Sequence, residues 1–271
     1  MRRDKIALMS EAEKKQYYTK MIYRTFPVIS LSLLFLLWTN VAKNSDFPSP
    51  KDTYDRLILL FERPIRGFTI LGHIKESLVR ISLALAFNWT FGVAFGILIG
   101  WNRKAKAFFT PMFNAFRAVP PLAWIPLITL WFGSGEMPKI LIVIFGSIAS
   151  VVVNAQAGMS NVEKLYLDVG TVFSANKRQT LFQIAIPSSL DAIFAGIRTS
   201  TSAAWMVVLA AEMLGARSGV GFLITRGMDS IDMPLVLMSM IAIGIVGALL
   251  AILTQIAERL LCPWTRKKES F

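Results

Sequence analysis

Long apolar runs separated by short basic clusters constrain this chain more than any other feature of its sequence. A helix needs about 20 apolar residues to cross roughly 30 Å of hydrocarbon. Six runs meet this requirement, at residues 25–42, 78–100, 108–132, 139–157, 190–213 and 235–260. Helices satisfy every backbone polar group internally, as a bilayer demands. The pattern therefore predicts an all-α polytopic membrane protein with six transmembrane helices.

Composition agrees with a membrane protein and argues against a soluble domain, a nucleic-acid-binding protein and a disulfide-linked fold. Of the 271 residues, 54% are hydrophobic and 17% charged, a balance typical of membrane proteins and not of soluble domains. The net charge of +12 does not indicate nucleic-acid binding, because the basic residues form short clusters between apolar runs. With Cys262 the only cysteine, an internal disulfide is excluded. The only histidine, His73, is expected in a solvated loop, where it leaves little room for a metal centre.

The basic clusters predict the orientation of the chain. With six spans, four clusters fall on the same side of the membrane, at the N-terminus, around 103–106, around 164–178 and at the C-terminus. Because positive residues stay in the cytoplasm, we predict both termini there, in a multi-pass protein in contact with membrane lipid. The opposite side then carries residues 43–77, 133–138 and 214–234, which we call the predicted outer end. Within these loops, helices are expected over 53–61 and 219–230.

A polar segment, residues 165–187, connects the fourth and fifth spans. We expect it to form a short cytoplasmic helix, a turn, and a second helix that ends at Pro187, with small residues that allow close approach of another protein. Asp168, near the turn, is suited to a salt bridge or a helix cap. By its spacing alone the segment fits an ordinary amphipathic loop equally well.

This segment resembles the Glu-Ala-Ala…Gly…Ile-x-Leu-Pro signature of bacterial ABC-importer permeases. The residues that follow the signature are Asp168, Val169, Gly170, Ser174, Ile184 and Pro187. Several of them depart from it, with Asp for Glu and Ser for Gly. Residues 117–127 (RAVPPLAWIPL), 130–136 (LWFGSGE), 210–216 (AAEMLGA) and 218–222 (SGVGF) are similar to the nitrate/sulfonate/taurine/bicarbonate branch of that family. The similarity runs from about residue 75 to residue 260.

The resemblance implies a type I importer transmembrane domain whose segment 165–187 is a coupling helix for an ATPase. It implies two permease subunits (a homodimer is expected), ABC ATPase subunits, and an external substrate-binding protein. ATP and Mg²⁺ then belong to the ATPase, with no cofactor on this chain, which is not itself an enzyme. The implied cargo is a small, anionic solute. The implied location of the protein is the inner membrane of a bacterium. A thiamine or riboflavin precursor is an alternative cargo, and a membrane-embedded enzyme or an independent channel is an alternative class.

Further polar residues are candidates for the translocation path or for docking. The path candidates are Thr199, Ser200, Ser202, Asn154 and Arg117, since intramembrane polar groups face a bundle interior or a pore. Glu212 and Glu136 are candidates for docking the binding protein. Hydrogen bonding between helices, interfacial anchoring and helix termination remain alternatives for these residues. A doubled G-x-x-x-G over 92–100 predicts close helix packing, within one subunit or between two.

These observations predict four consecutive segments. Residues 1–24 form a basic cytoplasmic segment, and residues 25–74 contain the first transmembrane helix and an external loop. Residues 75–260 form the permease core, and residues 261–271 form a basic cytoplasmic tail.

Overall fold

The computed structural model describes residues 11–262, with the side chains of residues 11–21 and 24 left out. The basic clusters predicted at the two ends therefore lie largely outside the described residues. The described helices, with two π-helical turns included in longer helices, are α1 Glu11–Lys43, α2 Pro50–Glu62, α3 Ile70–Trp101, α4 Arg103–Ala118, α5 Ile125–Phe132, α6 Glu136–Ser160, α7 Lys164–Val172, α8 Lys177–Met213, α9 Val220–Asp229 and α10 Met233–Leu261.

The fold class predicted from the sequence is confirmed. Five described helices are long and apolar enough to span a membrane, and α4 with residues 121–132 forms a sixth, bent candidate. The two halves of this pair meet at 89°. Pro120 and Pro121 explain the break, because neither residue has an N–H to continue the hydrogen-bond ladder. Val119, which precedes them, is extended as a residue before proline tends to be.

The chain divides at Arg56 into two compact units. In the first, the Trp38 indole N–H donates to the carbonyl of Pro48 at 2.9 Å. Ser49 and Asp52 cap the start of α2 reciprocally, Ser49 N–H donating to Asp52 at 2.9 Å and Asp52 N–H to the Ser49 hydroxyl at 3.2 Å. The Ser49 hydroxyl also donates to the Asp52 carboxylate at 2.7 Å, and this bond, together with the one from the Ser49 N–H, holds the pKa of Asp52 below its ordinary value.

Helix α6 is the centre of the second unit, with α3 and α8 packed on it. The core includes Ile81 of α3, Val143 of α6 and Val208 of α8, all buried. The glycines at 92, 96 and 100 lie along the α3–α6 contact, and a Cβ at Gly96 would lie 2.8 Å from the Val152 carbonyl oxygen. Of the two contacts that the G-x-x-x-G pattern left open, the structure shows the one within the chain.

Candidate functional site

The segment 165–187 folds as a tight helical hairpin, with α7 packed against the start of α8. Gly170 is buried at the contact, where a Cβ would lie 2.6 Å from Ile184 Cδ1. The Gly170 carbonyl accepts a hydrogen bond from the Ala175 N–H at 2.9 Å. A side chain at position 170 would therefore separate the two arms of the hairpin.

The turn between α7 and α8 is fixed by local chemistry. Ser174 has a left-handed backbone (φ 54°), which ends α7. Asn176 then starts α8 with a reciprocal cap: the Gln179 N–H donates to the Asn176 side chain at 2.9 Å, and the Gln179 side chain accepts from the Asn176 N–H at 2.9 Å. The helix–turn–helix predicted for this segment is thus present.

The prediction that the second helix ends at Pro187 is wrong. Helix α8 continues from Lys177 through Pro187 to Met213. A π-helical turn, Thr180–Ala185, precedes the proline, and the Ile186 N–H donates to the Leu181 carbonyl five residues back. The wider turn accommodates the proline ring and its missing donor without ending the helix.

The end of α7 and the residue that follows it present exposed apolar side chains. Val172 and Phe173 are 82% and 81% exposed, although they lie beside charged residues at a polar end of the protein. The same hairpin carries a groove of about 590 Å³ lined by Val169, Ile184 and Pro187, among others. An exposed apolar patch with a polar rim is characteristic of protein interaction sites. The structure therefore brings three of the six signature residues together at this groove, with Gly170 beneath it.

Two of the three hydroxyl residues predicted to line a path share an exposed face of α8. Thr199 and Ser202, three residues apart, are exposed, whereas Ser200 is fully buried on another face. The Thr199 and Ser202 hydroxyls donate to carbonyls of their own helix, to Ala195 at 3.0 Å and Arg198 at 3.4 Å. The buried Ser200 hydroxyl makes no hydrogen bond within the described part of the chain.

The other two path candidates lie apart from this face. Asn154 is half-buried on α6, donates to the Ser150 carbonyl at 2.7 Å, and packs where α8 has Gly196. Arg117 is exposed near the end of α4, and its Nε donates to Asn114 at 3.0 Å. Their contribution to a path stays a prediction.

At the predicted outer end, one arginine joins the two carboxylates that the sequence assigned to docking. Arg80 of α3 is 2% exposed and donates from Nη1 to Glu212 at 2.6 Å. Its Nε and Nη2 donate to Glu136. Nη1 and Nη2 also donate to the carbonyl and the hydroxyl of Ser218, at 3.0 and 2.6 Å. The guanidinium group of Arg80 on α3 therefore binds residues of α6, of α8 and of the turn before α9.

Glu212 is enclosed by this cluster. It is 0% exposed and also accepts from the Ser77 hydroxyl at 2.8 Å and the Gly221 N–H at 3.0 Å. Gly219, with φ 112°, lies so close that any Cβ there would overlap the carboxylate. This burial argues against direct docking through Glu212 and leaves Glu136, 56% exposed, as the accessible carboxylate of the pair.

The position predicted for His73 is wrong. Instead of lying in a solvated loop, it is fully buried in the first turn of α3, where Nδ1 accepts from the Gly219 N–H at 3.1 Å. Sequence reasoning also missed Arg80 and Ser77. The available signal was their spacing: His73, Ser77 and Arg80 recur at four and three residues, which places three polar groups on one face of an apolar helix.

Comparisons with known proteins agree with this architecture. Residues 92–267 match the family model described as "Binding-protein-dependent transport system inner membrane component". The chain is 30% identical to the taurine transport system permease protein TauC of Escherichia coli, over 89% of this chain and 90% of that protein. It is 29% identical to the nitrate import permease protein NrtB of Synechocystis, with the same coverage of both chains.

A similar fold occurs in a solved structure. A chain of the MetNI methionine ABC transporter, crystallised in inward facing conformations, matches with a TM-score of 0.63 at 14% identity, over 70% of this chain and 95% of that chain. The helical architecture, the family match over residues 92–267 and the similarity to full-length permeases agree. This chain belongs to the family of binding-protein-dependent transport system inner membrane components, the permease subunits of ABC importers.

Proposed function

We propose that this permease imports a small anion of the nitrate, sulfonate/taurine or bicarbonate type, delivered by an external binding protein. The observation that carries the proposal is the similarity, over 89% of the chain, to permeases named for taurine and for nitrate. Both names refer to solutes with a compact oxyanion group. A formylaminopyrimidine permease of Halalkalibacterium halodurans is 26% identical, which keeps a thiamine precursor as the alternative for the transport assay.

The ATPase contact in this proposal is the hairpin at 165–187. The exposed apolar residues Val172 and Phe173 and the groove beside Val169 offer a compact surface to a soluble partner. Glycine at 170 keeps the two arms close enough to move as one body. ATP and Mg²⁺ bind the partner, and closure of two ATPase subunits is transmitted through this hairpin to α8.

The remaining parts of the proposal follow from orientation and symmetry. In this proposal both termini are cytoplasmic. The hairpin therefore faces the ATPase, and the Arg80 cluster (Arg80, Glu136, Glu212 and Ser218) faces the binding protein. Two copies of this chain form the path, and the exposed Thr199 and Ser202 of α8 face it. Hydroxyl groups there supply hydrogen-bond donors to a passing anion.

Removal of the apolar side chains on α7 tests the ATPase contact. Replacing both Val172 and Phe173 with serine is expected to weaken co-purification with the ATPase by at least about tenfold, because exposed aromatic anchors dominate many interfaces. Ile231→Ser is the matched control, since Ile231 is also 81% exposed but lies at the predicted outer end. Unchanged association of the double variant, or of a deletion of 165–187, contradicts the assignment.

Cargo is tested by ATP-driven uptake into proteoliposomes that contain the permease, its ATPase and its binding protein. Taurine, nitrate and bicarbonate are the expected group of solutes, at least one of which accumulates. Uptake of a formylaminopyrimidine with no uptake of any anion contradicts the proposed cargo and supports the alternative.

A further inference from the structure

A cavity of about 390 Å³ opens near the predicted outer end, between α5, the start of α6 and the end of α8. Its apolar wall includes Ile125, Ile142 and Ala211, and its polar wall includes Glu136, Lys139 and Arg217. Cavities of this size accept small molecules. The cavity lies beside the Arg80 cluster, because Glu136 belongs to both.

The charges on the polar wall do not cancel. Lys139 is 12% exposed and donates to Glu136 at 2.8 Å, so these two opposite charges neutralise one another. Glu136 is held in addition by Arg80 from behind. Arg217 remains: it is exposed, and it makes no ion pair or side-chain hydrogen bond with the residues whose side chains the structure describes, 22–262 apart from residue 24. Two cations against one carboxylate leave one net positive charge on the wall, at Arg217.

We propose that this cavity is an entry site on the permease for the anionic group of the imported solute, with Arg217 as the receiving residue. A guanidinium group presents parallel N–H donors that match the oxygens of a sulfonate or nitrate. The apolar wall accepts a short alkyl body. The inference rests on the proposed anionic cargo and names where the permease itself first binds it.

A carboxylate of the binding protein is the competing occupant of the same guanidinium group. The observations favour the solute, because the arginine borders a partly apolar hollow and not a flat surface. A partner carboxylate that reached only Arg217 would leave the apolar wall of Ile125 and Ile142 unfilled. The experiment below separates the two occupants.

Direct binding to the permease–ATPase complex in lipid nanodiscs, without any binding protein, tests the site. The probes are radiolabelled taurine, ethanesulfonate and nitrate, measured by equilibrium dialysis. Arg217→Gln is expected to weaken binding of the preferred probe at least about tenfold, and Arg217→Lys less. Arg226→Gln is the matched control, since Arg226 is also exposed at the predicted outer end but does not line the cavity; it is expected to bind as the wild type does.

Several results would overturn the inference. The first is that the wild type shows no saturable binding of any probe. The second is that wild type and R217Q bind the probe with equal affinity, and the third is that R226Q loses as much affinity as R217Q. A fourth is a loss of binding-protein affinity in R217Q with unchanged anion binding, which identifies a docking contact instead. If wild-type proteoliposomes import an anion but R217Q binds that anion as the wild type does, the proposed site is refuted and the proposed cargo is not. Wild-type proteoliposomes that import no anion refute the proposed cargo, and the site with it.

Discussion

Replacing Arg80 with methionine is expected to destabilise the permease by several kcal/mol. The side chain is 2% exposed, and it donates to Glu212, which is 0% exposed, and twice to Ser218. Methionine fills much of the volume but donates nothing. Removal of one partner of a buried ion pair costs about 3–5 kcal/mol, because the other charge stays buried without compensation.

The structure sets bounds on this magnitude. Glu212 keeps its bonds from Ser77 and Gly221 and can take up a proton, so the lower part of the range is the better expectation. For chains of 150–250 residues, 1 kcal/mol corresponds to roughly 2–4 °C in the unfolding midpoint. Arg80→Met should therefore lower the midpoint by about 6–12 °C in detergent, measured by intrinsic tryptophan fluorescence.

A second variant separates loss of charge pairing from loss of packing. The double variant R80M with Glu212→Gln removes both charges, so it should recover a large part of the lost stability. Glu136→Gln alone should cost about 1 kcal/mol or less, because its carboxylate is 56% exposed. A midpoint of R80M within about 2 °C of the wild type, or a double variant no better than R80M, refutes the reasoning.

Two further predictions concern helix packing and capping. Gly96→Leu should destabilise the permease by about 1–3 kcal/mol, because its Cβ would lie 2.8 Å from a backbone oxygen of α6. In contrast, Gly244→Ala should be neutral or stabilising, since no atom lies within 4 Å of a Cβ there; equal unfolding midpoints for these two variants would contradict the packing argument. Asn176→Ala removes the cap that starts α8 and should cost about 1 kcal/mol. Faster hydrogen exchange confined to the hairpin would register this loss, and unchanged exchange at Lys177–Gln179 would contradict it.

Sequence reasoning reached the fold because its signals are local. Span length and the helical spacing of glycine are both readable from neighbouring residues, and six spans and close helix packing over residues 92–100 were predicted from them. The course of α8 was not predictable, because the accommodation of Pro187 depends on a π-helical turn that composition does not reveal.

The candidate sites, like the fold, were predictable from the sequence only in part. The spacing of Asp168, Gly170 and Pro187 alone fitted an ordinary loop equally well, and it was the resemblance over the neighbouring motifs that favoured the hairpin, two of whose apolar residues then proved to be exposed. The hydroxyls at 199, 200 and 202 looked equivalent in sequence, yet only the tertiary packing of α8 on α6 decided that Ser200 is buried and that Thr199 and Ser202 are exposed.

By itself, the sequence determined that this chain is a polytopic helical permease with a hairpin between its fourth and fifth spans, because hydropathy and short motifs act along the chain. Only the tertiary structure decided that Arg80, Glu136 and Glu212 form one cluster, since the ion pairs join residues 56 and 132 positions apart. It alone also showed Arg217 beside a cavity, without an ion pair to any of the side chains that the structure describes. Charge pairing is a property of distances in space, and no local pattern in the chain encodes it.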